Sequence, residues 1–215
     1  LTGQHATLSR LPQSIQSVLE RRLEHISTEC RRLLQLAAVI GREFNLRVLD
    51  IVATSLLDHE TEPSGHAETL LPGLLDEAID ARLLLSISDG VGRYSFSHAL
   101  LRDVLYQTLT TTQRAQWHHL VGKALETFAS VYSASSVVEL AHHFFQAAPS
   151  GAVDKALTYT TQAAEYATAS LAYEEAAAHY ERALQLVDLQ GPELARRCAL
   201  LLDFGEAQHR AGNSP

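Results

Sequence analysis

Segments of helical period fill most of the sequence, two short β-like runs flank Asp89-Gly90 in the first half, and an alanine-rich stretch with large residues at intervals occupies the second. Together these predict a mainly α chain in three parts. They are a winged-helix domain with a small β-hairpin over residues 1–110, a helical linker over 111–150, and the start of a tetratricopeptide-like solenoid over 151–215. The 215 residues are 46% hydrophobic and 20% charged, as in globular chains rather than disordered or fibrous ones. No run approaches the ~20 apolar residues of a membrane span, and nothing resembles a signal peptide, so a cytoplasmic location without a membrane partner is expected. Cys30 and Cys198 lack a framework spacing, and Cys30 falls in phase with Leu33, Leu34 and Ala37, which predicts a core position. The chain opens at Leu1, contains no methionine and stops just after what reads as the first helix of a new unit, so it is expected to be a piece of a longer parent.

Leu11-Pro12 opens a first helix through Ile15, Val18, Leu19, Leu23 and Ile26. Ser27 is placed to cap the next, whose stripe of Cys30, Leu33, Leu34, Ala37 and Ile40 ends at Gly41. Phe44, Leu46, Val48, Leu49 and Val52 read as a short third helix, and the polar stretch from Asp58 to His66 as a loop. A fourth helix follows through Leu70 to Ile79, its regular part confined by Pro72-Gly73 to the later residues. Leu84–Ser88 and Arg93–Ser97 then predict a hairpin about Asp89-Gly90. Ser97 is placed to cap a helix from His98 to about Leu109, and Thr110 with Gln113 forms a capping-box pattern for the helix running toward Tyr132. Val137–Ala147 gives another helix, closed by Pro149-Ser150-Gly151. Val153–Ser170 and Leu171–Val187 form an alanine-rich pair, and Gly191-Pro192 precedes a last helix from Glu193 to Ala211.

Ala164, Ala167, Ala176, Tyr180 and Ala183 fall at the small and aromatic positions of a tetratricopeptide repeat, with Phe204-Gly205 at the Leu-Gly position of a following unit. With Ala176 at the first small position of the second repeat helix, Thr158, Thr161, Glu165 and Thr168 project from the preceding helix toward the concave groove. They are the candidate partner-binding residues.

The chemistry of an enzyme is missing from this pattern, and no catalytic residue is assigned. Gly122-Lys123 lacks the glycine-rich turn of a phosphate loop, and Gly90-Val91-Gly92 lacks the third glycine of a dinucleotide fingerprint. Among the eleven histidines, His118-His119 and His142-His143 form adjacent pairs. Neighbours on a helix point about 100° apart, so a metal would require one histidine of each pair to meet across two helices. Helix–helix packing is the expected role, and no metal is assigned. Asp76 with Glu77, and Glu174 with Glu175, are expected on solvated faces. The helix before the hairpin carries Glu68, Asp76, Glu77 and Asp80 against Arg82, in a chain of net charge −8, which opposes direct nucleic-acid binding.

Several segments carry a resemblance: Leu11-Pro12-Gln13-Ser14-Ile15-Gln16, Leu36-Ala37-Ala38-Val39-Ile40-Gly41-Arg42-Glu43-Phe44, Tyr94-Ser95-Phe96-Ser97-His98-Ala99-Leu100-Leu101-Arg102-Asp103-Val104-Leu105-Tyr106 and Glu139-Leu140-Ala141-His142-His143-Phe144. In this order they resemble the region after the ATPase core in bacterial signal-transduction ATPases with numerous domains. These include large transcriptional regulators related to the maltose activator and ATPases fused to nucleotide-cyclase or kinase domains. The resemblance implies a non-catalytic regulatory fragment of a larger ATPase, with no cofactor of its own and ATP or ADP bound by the full-length parent. Its partners would be the ATPase domain of the same parent chain and, on the repeats, a protein or small-molecule inducer. In the wider class a histidine at the start of the helix after the last winged-helix strand touches the phosphate of ADP. His98 matches it by position, and Leu100-Leu101-Arg102-Asp103 extends the match toward the Met-His-Asp segment of plant resistance proteins, with Ala99 where that motif has aspartate. The alternative is a free-standing helical-repeat adaptor that binds a peptide or protein without nucleotide linkage.

Overall fold

The computed structural model describes residues 21–60, 67–87, 92–128, 134–191 and 193–212. It is mainly helical with one small sheet, and the chain divides into two compact units, Leu1–Leu109 and Thr110–Pro215. Of the expected first helix only residues 21–26 fall within this range, with 21–24 helical, and the Asp89-Gly90 turn lies outside the described residues.

In the first unit, helix α1 (Thr28–Ile40) starts where the Ser27 hydroxyl accepts the Cys30 N–H at 3.1 Å. That hydroxyl in turn donates to the Glu77 carboxylate at 2.7 Å, and the Ser27 N–H donates to the same carboxylate. Asp76 is solvated as expected, whereas Glu77 is half-buried and braces this helix start from another element. Cys30 is buried, and its thiol donates to the Leu74 carbonyl at 3.4 Å. Burial, with the Glu77 charge as a smaller cause, pushes its pKa up to about 12, which leaves an inert core thiol. Gly41 closes α1 with its N–H donating to Ala37, in extended rather than left-handed backbone.

Phe44, expected in a helix, belongs instead to strand β1 (Glu43–Asn45). Only Phe44 of its three residues is buried, so the strand exists because one ring is drawn into the core. Helix α2 (Leu46–Glu60) follows at once, with the Asn45 side chain accepting the Arg47 N–H at 2.8 Å. Helix α3 (Ala67–Asp80) runs unbroken through Pro72, contrary to expectation. Pro72 and Gly73 sit on its exposed side while Leu71, Leu75 and Ala78 are buried, and that burial outweighs one lost backbone hydrogen bond.

Strands β2 (Leu84–Ser86) and β3 (Arg93–Phe96) complete an antiparallel sheet of order β1-β3-β2, with Glu43 opposite Ser95 and Leu84 opposite Phe96. The Phe44 ring lies 6.0 Å from both Tyr94 and Phe96, so the aromatic faces seal the added strand to the hairpin. Helix α4 (Ala99–Gln107) buries Leu101 and Leu105 and packs on α1, where Arg102 Nε donates to the Ala38 carbonyl at 2.9 Å.

The second unit opens with α5 (Thr111–Phe128), and here the capping box forms. The Gln113 N–H donates to the Thr110 hydroxyl at 3.2 Å, and the Thr110 N–H to the Gln113 side chain at 3.0 Å. Helix α6 (Ala134–Ala147) passes through a 3-10 turn (Ala148–Ser150) to α7 (Val153–Ala169), α8 (Tyr173–Gln190) and α9 (Leu194–Arg210). Each helix packs on the next in sequence. Ala156, Ala163, Ala164, Ala167, Ala176 and Ala183 are all buried, and their short side chains let the helix axes approach closely. The turn between α7 and α8 places Leu171 at φ 61°, a left-handed conformation that a β-carbon disfavours.

Candidate functional site

Two places carry the residues singled out from the sequence. The first is the junction of β3 and α4. The expected cap does not form: His98, not Ser97, is the residue flanking α4, with no side-chain cap hydrogen bond. Ser97 is held toward the sheet by its N–H donating to Leu83 at 3.0 Å, and its hydroxyl is buried without a hydrogen-bond partner. Strand β3 ends at Phe96, and the helix starts one residue later than the capping pattern implied. The consequence for His98 is an exposed position at the outset of a helix, where free N–H groups and the helix dipole favour an anion. Rigid neighbours fix it there, since β3 is paired on both sides and α4 is docked by Leu101, Leu105 and Arg102.

The second place is one face of α7. Thr158 and Glu165 are exposed, Thr161 and Thr168 half-buried, and the four recur at helical spacing along that face. Thr158 and Thr168 return their hydroxyls to the Asp154 and Ala164 carbonyls, each at 2.9 Å. The sequence did not single out the groups that join them around the buried Tyr180 of α8. Burial raises the Tyr180 pKa, a side-chain hydrogen bond with Thr168 opposes the rise, and Asp203, Glu165 and Glu206 add to it. Carboxylates of α7 and α9 thus act on one phenol of α8. The signal that could have found Asp203 and Glu206 is their spacing of three on the last helix.

Between α5 and α6 one histidine of each adjacent pair does meet the other. His118 and His143 are each 1% exposed, with Nδ1 atoms 2.9 Å apart. Such a contact holds one proton between the rings, one nitrogen donating and the other accepting. His142 stands exposed beside them, its ring 5.6 Å from His118. Among the described residues no group of three or more His, Cys, Asp or Glu is arranged to hold a metal ion.

Burial lowers the pKa of His119, further lowered by Lys123 and Lys155 against the opposing Glu126. It also lowers that of His179, with Arg182 acting in the same sense and Glu175 against it. Nδ1 of each is buried without a hydrogen-bond partner. Both rings fold neutral, so the unfolded chain takes up protons first as pH falls below the ordinary value near 6.5. Stability is therefore full above that value and declines below it. Thermal melts should show Tm falling between about pH 6.5 and pH 5, with a shallower slope when both residues are replaced by leucine. An unchanged slope in that variant would exclude these two rings as the cause.

Elsewhere in the first unit, Leu33, Leu36, Ala53, Leu56, Leu71 and Leu74 line an apolar cleft of about 190 Å3. It is smaller than the ~300 Å3 at which ligand pockets begin. No described helix is long and apolar enough to cross a membrane. In comparisons with known proteins, no family model, no curated protein and no solved structure matches the chain.

Proposed function

We propose that this chain is a non-catalytic regulatory and partner-binding region of a larger signal-transduction ATPase, its first unit the nucleotide-state switch and its second the binding arm. The observation that carries the reading is His98, exposed at the start of the helix that follows the last strand. The order helix, strand, two helices, two strands, with the last strand central in the sheet, is that of a winged helix and supports it. A winged helix whose α3 carries Asp76, Glu77 and Asp80 suits a protein surface better than a phosphate backbone. The alanine-sealed pair α7 and α8, followed by α9, fits the start of a tetratricopeptide-like array. In a parent with a phosphate-loop domain ahead of Leu1, ADP should be held more tightly with the first unit present than with it deleted. Equal retention would overturn the switch.

The α7 face supplies the binding arm, and its charge favours a partner with basic side chains. Reversing Glu165 to lysine should weaken such a partner by about 1 kcal/mol, roughly fivefold in Kd, without lowering Tm, because the side chain is exposed. Calorimetric titration of an identified partner checks this, and unchanged affinity would remove Glu165 from the groove.

A further inference from the structure

Helices α5 and α6 meet through two histidines whose contact limits the protons they can carry. The His118 and His143 rings lie 5.0 Å apart with their planes tilted by 44°, and the 2.9 Å between their Nδ1 atoms is a hydrogen-bond distance. Two ring nitrogens bond to each other only when one carries a hydrogen and the other a lone pair. One ring is therefore protonated at Nδ1 and its partner is not. Both rings are buried in close-packed surroundings, so neither can swing its Nδ1 to water while α5 stays on α6.

We infer that His118 and His143 form a proton-operated latch between α5 and α6, closed while at least one ring is neutral and opened by acid. With the helices apart, all four ring nitrogens can be protonated; with the helices together, three can be at most. Each freed ring takes up its extra proton as pH falls through about 6.5, and in the closed pair the second such proton would set two N–H groups against each other. The open form thus binds more protons in acid, so the latch is at full strength above about pH 6.5 and weakens below it. Arg114, one turn before His118, and Glu139, one turn before His143, share the faces that carry the pair. The exposed His142 ring lies 5.6 Å from His118 and 5.3 Å from His143. The 3-10 turn Ala148–Ser150 brings no titratable side chain. His119, Lys123 and Glu126 of α5 interact with Lys155 of α7 beside the next ring, Phe144, on which Tyr159 of α7 stacks. These charges move the pH at which the latch opens, but none of them lets two Nδ1–H groups face each other.

Long-range proton–nitrogen correlation spectra of the full 215-residue chain near neutral pH should show one of the two rings protonated at Nδ1 and the other at Nε2. Trp117, the single tryptophan, is buried on α5 beside His118, so urea titrations read by its emission give the opening constant at each pH. The titrations are made in the chain with His119 and His179 replaced by leucine, which removes their part of the acid response. They are repeated after adding His118→Asn and His143→Asn, whose amides keep an N–H···O bond at the Nδ1 positions and take up no proton. Relative to that chain, the histidine pair should raise the opening constant roughly tenfold or more for each pH unit below about 5.5. Equal pH dependence in the two chains would overturn the inference. So would any other protonation pattern in the native chain, a result that needs no variant to fold. None of these outcomes depends on the ATPase reading.

Discussion

Truncating Phe144 to alanine is expected to cost the second unit about 3–5 kcal/mol, enough to unfold much of it at physiological temperature. The ring is fully buried and is held on several sides. It stacks on Tyr159 at 5.3 Å between centroids, nearly parallel, and His119 meets it edge-on at 6.1 Å. Lys155 lies 5.1 Å from its centroid while bonded to Glu126, which also accepts the Tyr159 hydroxyl at 2.8 Å. Against α5 the ring rests on Gly122, where an added β-carbon would stand 2.9–3.1 Å from ring carbons. Gly122→Ala should therefore destabilise despite the better helix propensity of alanine. Overpacking of about 1–3 kcal/mol exceeds a propensity gain of about 1 kcal/mol. Urea denaturation of the two variants tests both, and a Gly122→Ala chain more stable than the parent would mean that the ring is free to move.

Replacing His98 by alanine in a full-length parent should release the switch proposed for the first unit. A charge-assisted hydrogen bond made only in the closed, ADP-bound state is worth about 1.5–3 kcal/mol. Its loss shifts a two-state equilibrium by roughly ten- to hundredfold. The variant should signal without inducer and retain ADP less well. The 215-residue chain by itself should keep its Tm, because His98 is exposed and makes no side-chain cap bond to α4. Unfolding of the isolated chain together with an inactive parent would instead make His98 a packing residue.

What the sequence disclosed was mostly local. The Ser27 cap and the Thr110–Gln113 box are decided within four residues, and both form. The periodic stripes placed Cys30 and the buried alanines correctly for the same reason. Strand β1 was invisible because three residues with one buried side chain have no period, and its existence depends on an aromatic partner far along the chain. The failure of Ser97 to cap has a similar origin: its N–H is bonded to the carbonyl of Leu83 on another element, and the helix starts only after His98. Glu77 reaching Ser27, the approach of His118 to His143, and the gathering of Asp203 and Glu206 about Tyr180 all require knowing which helices meet. The α7 face could be drawn from spacing alone, but the charges that surround it could not.

The sheet order also sets when each part of the chain can fold. Its central strand is the last of the three in sequence, and β1 waits for a partner about fifty residues away, so that a long loop must close before that pairing is rewarded. On a ribosome the sheet stays unfinished until Phe96 has emerged, and α4 with His98 emerges only after it. The second unit has no such delay, since each of its helices finds its neighbour next in line. The half of the molecule proposed to sense nucleotide is thus slow to be completed, although it is the first to be made.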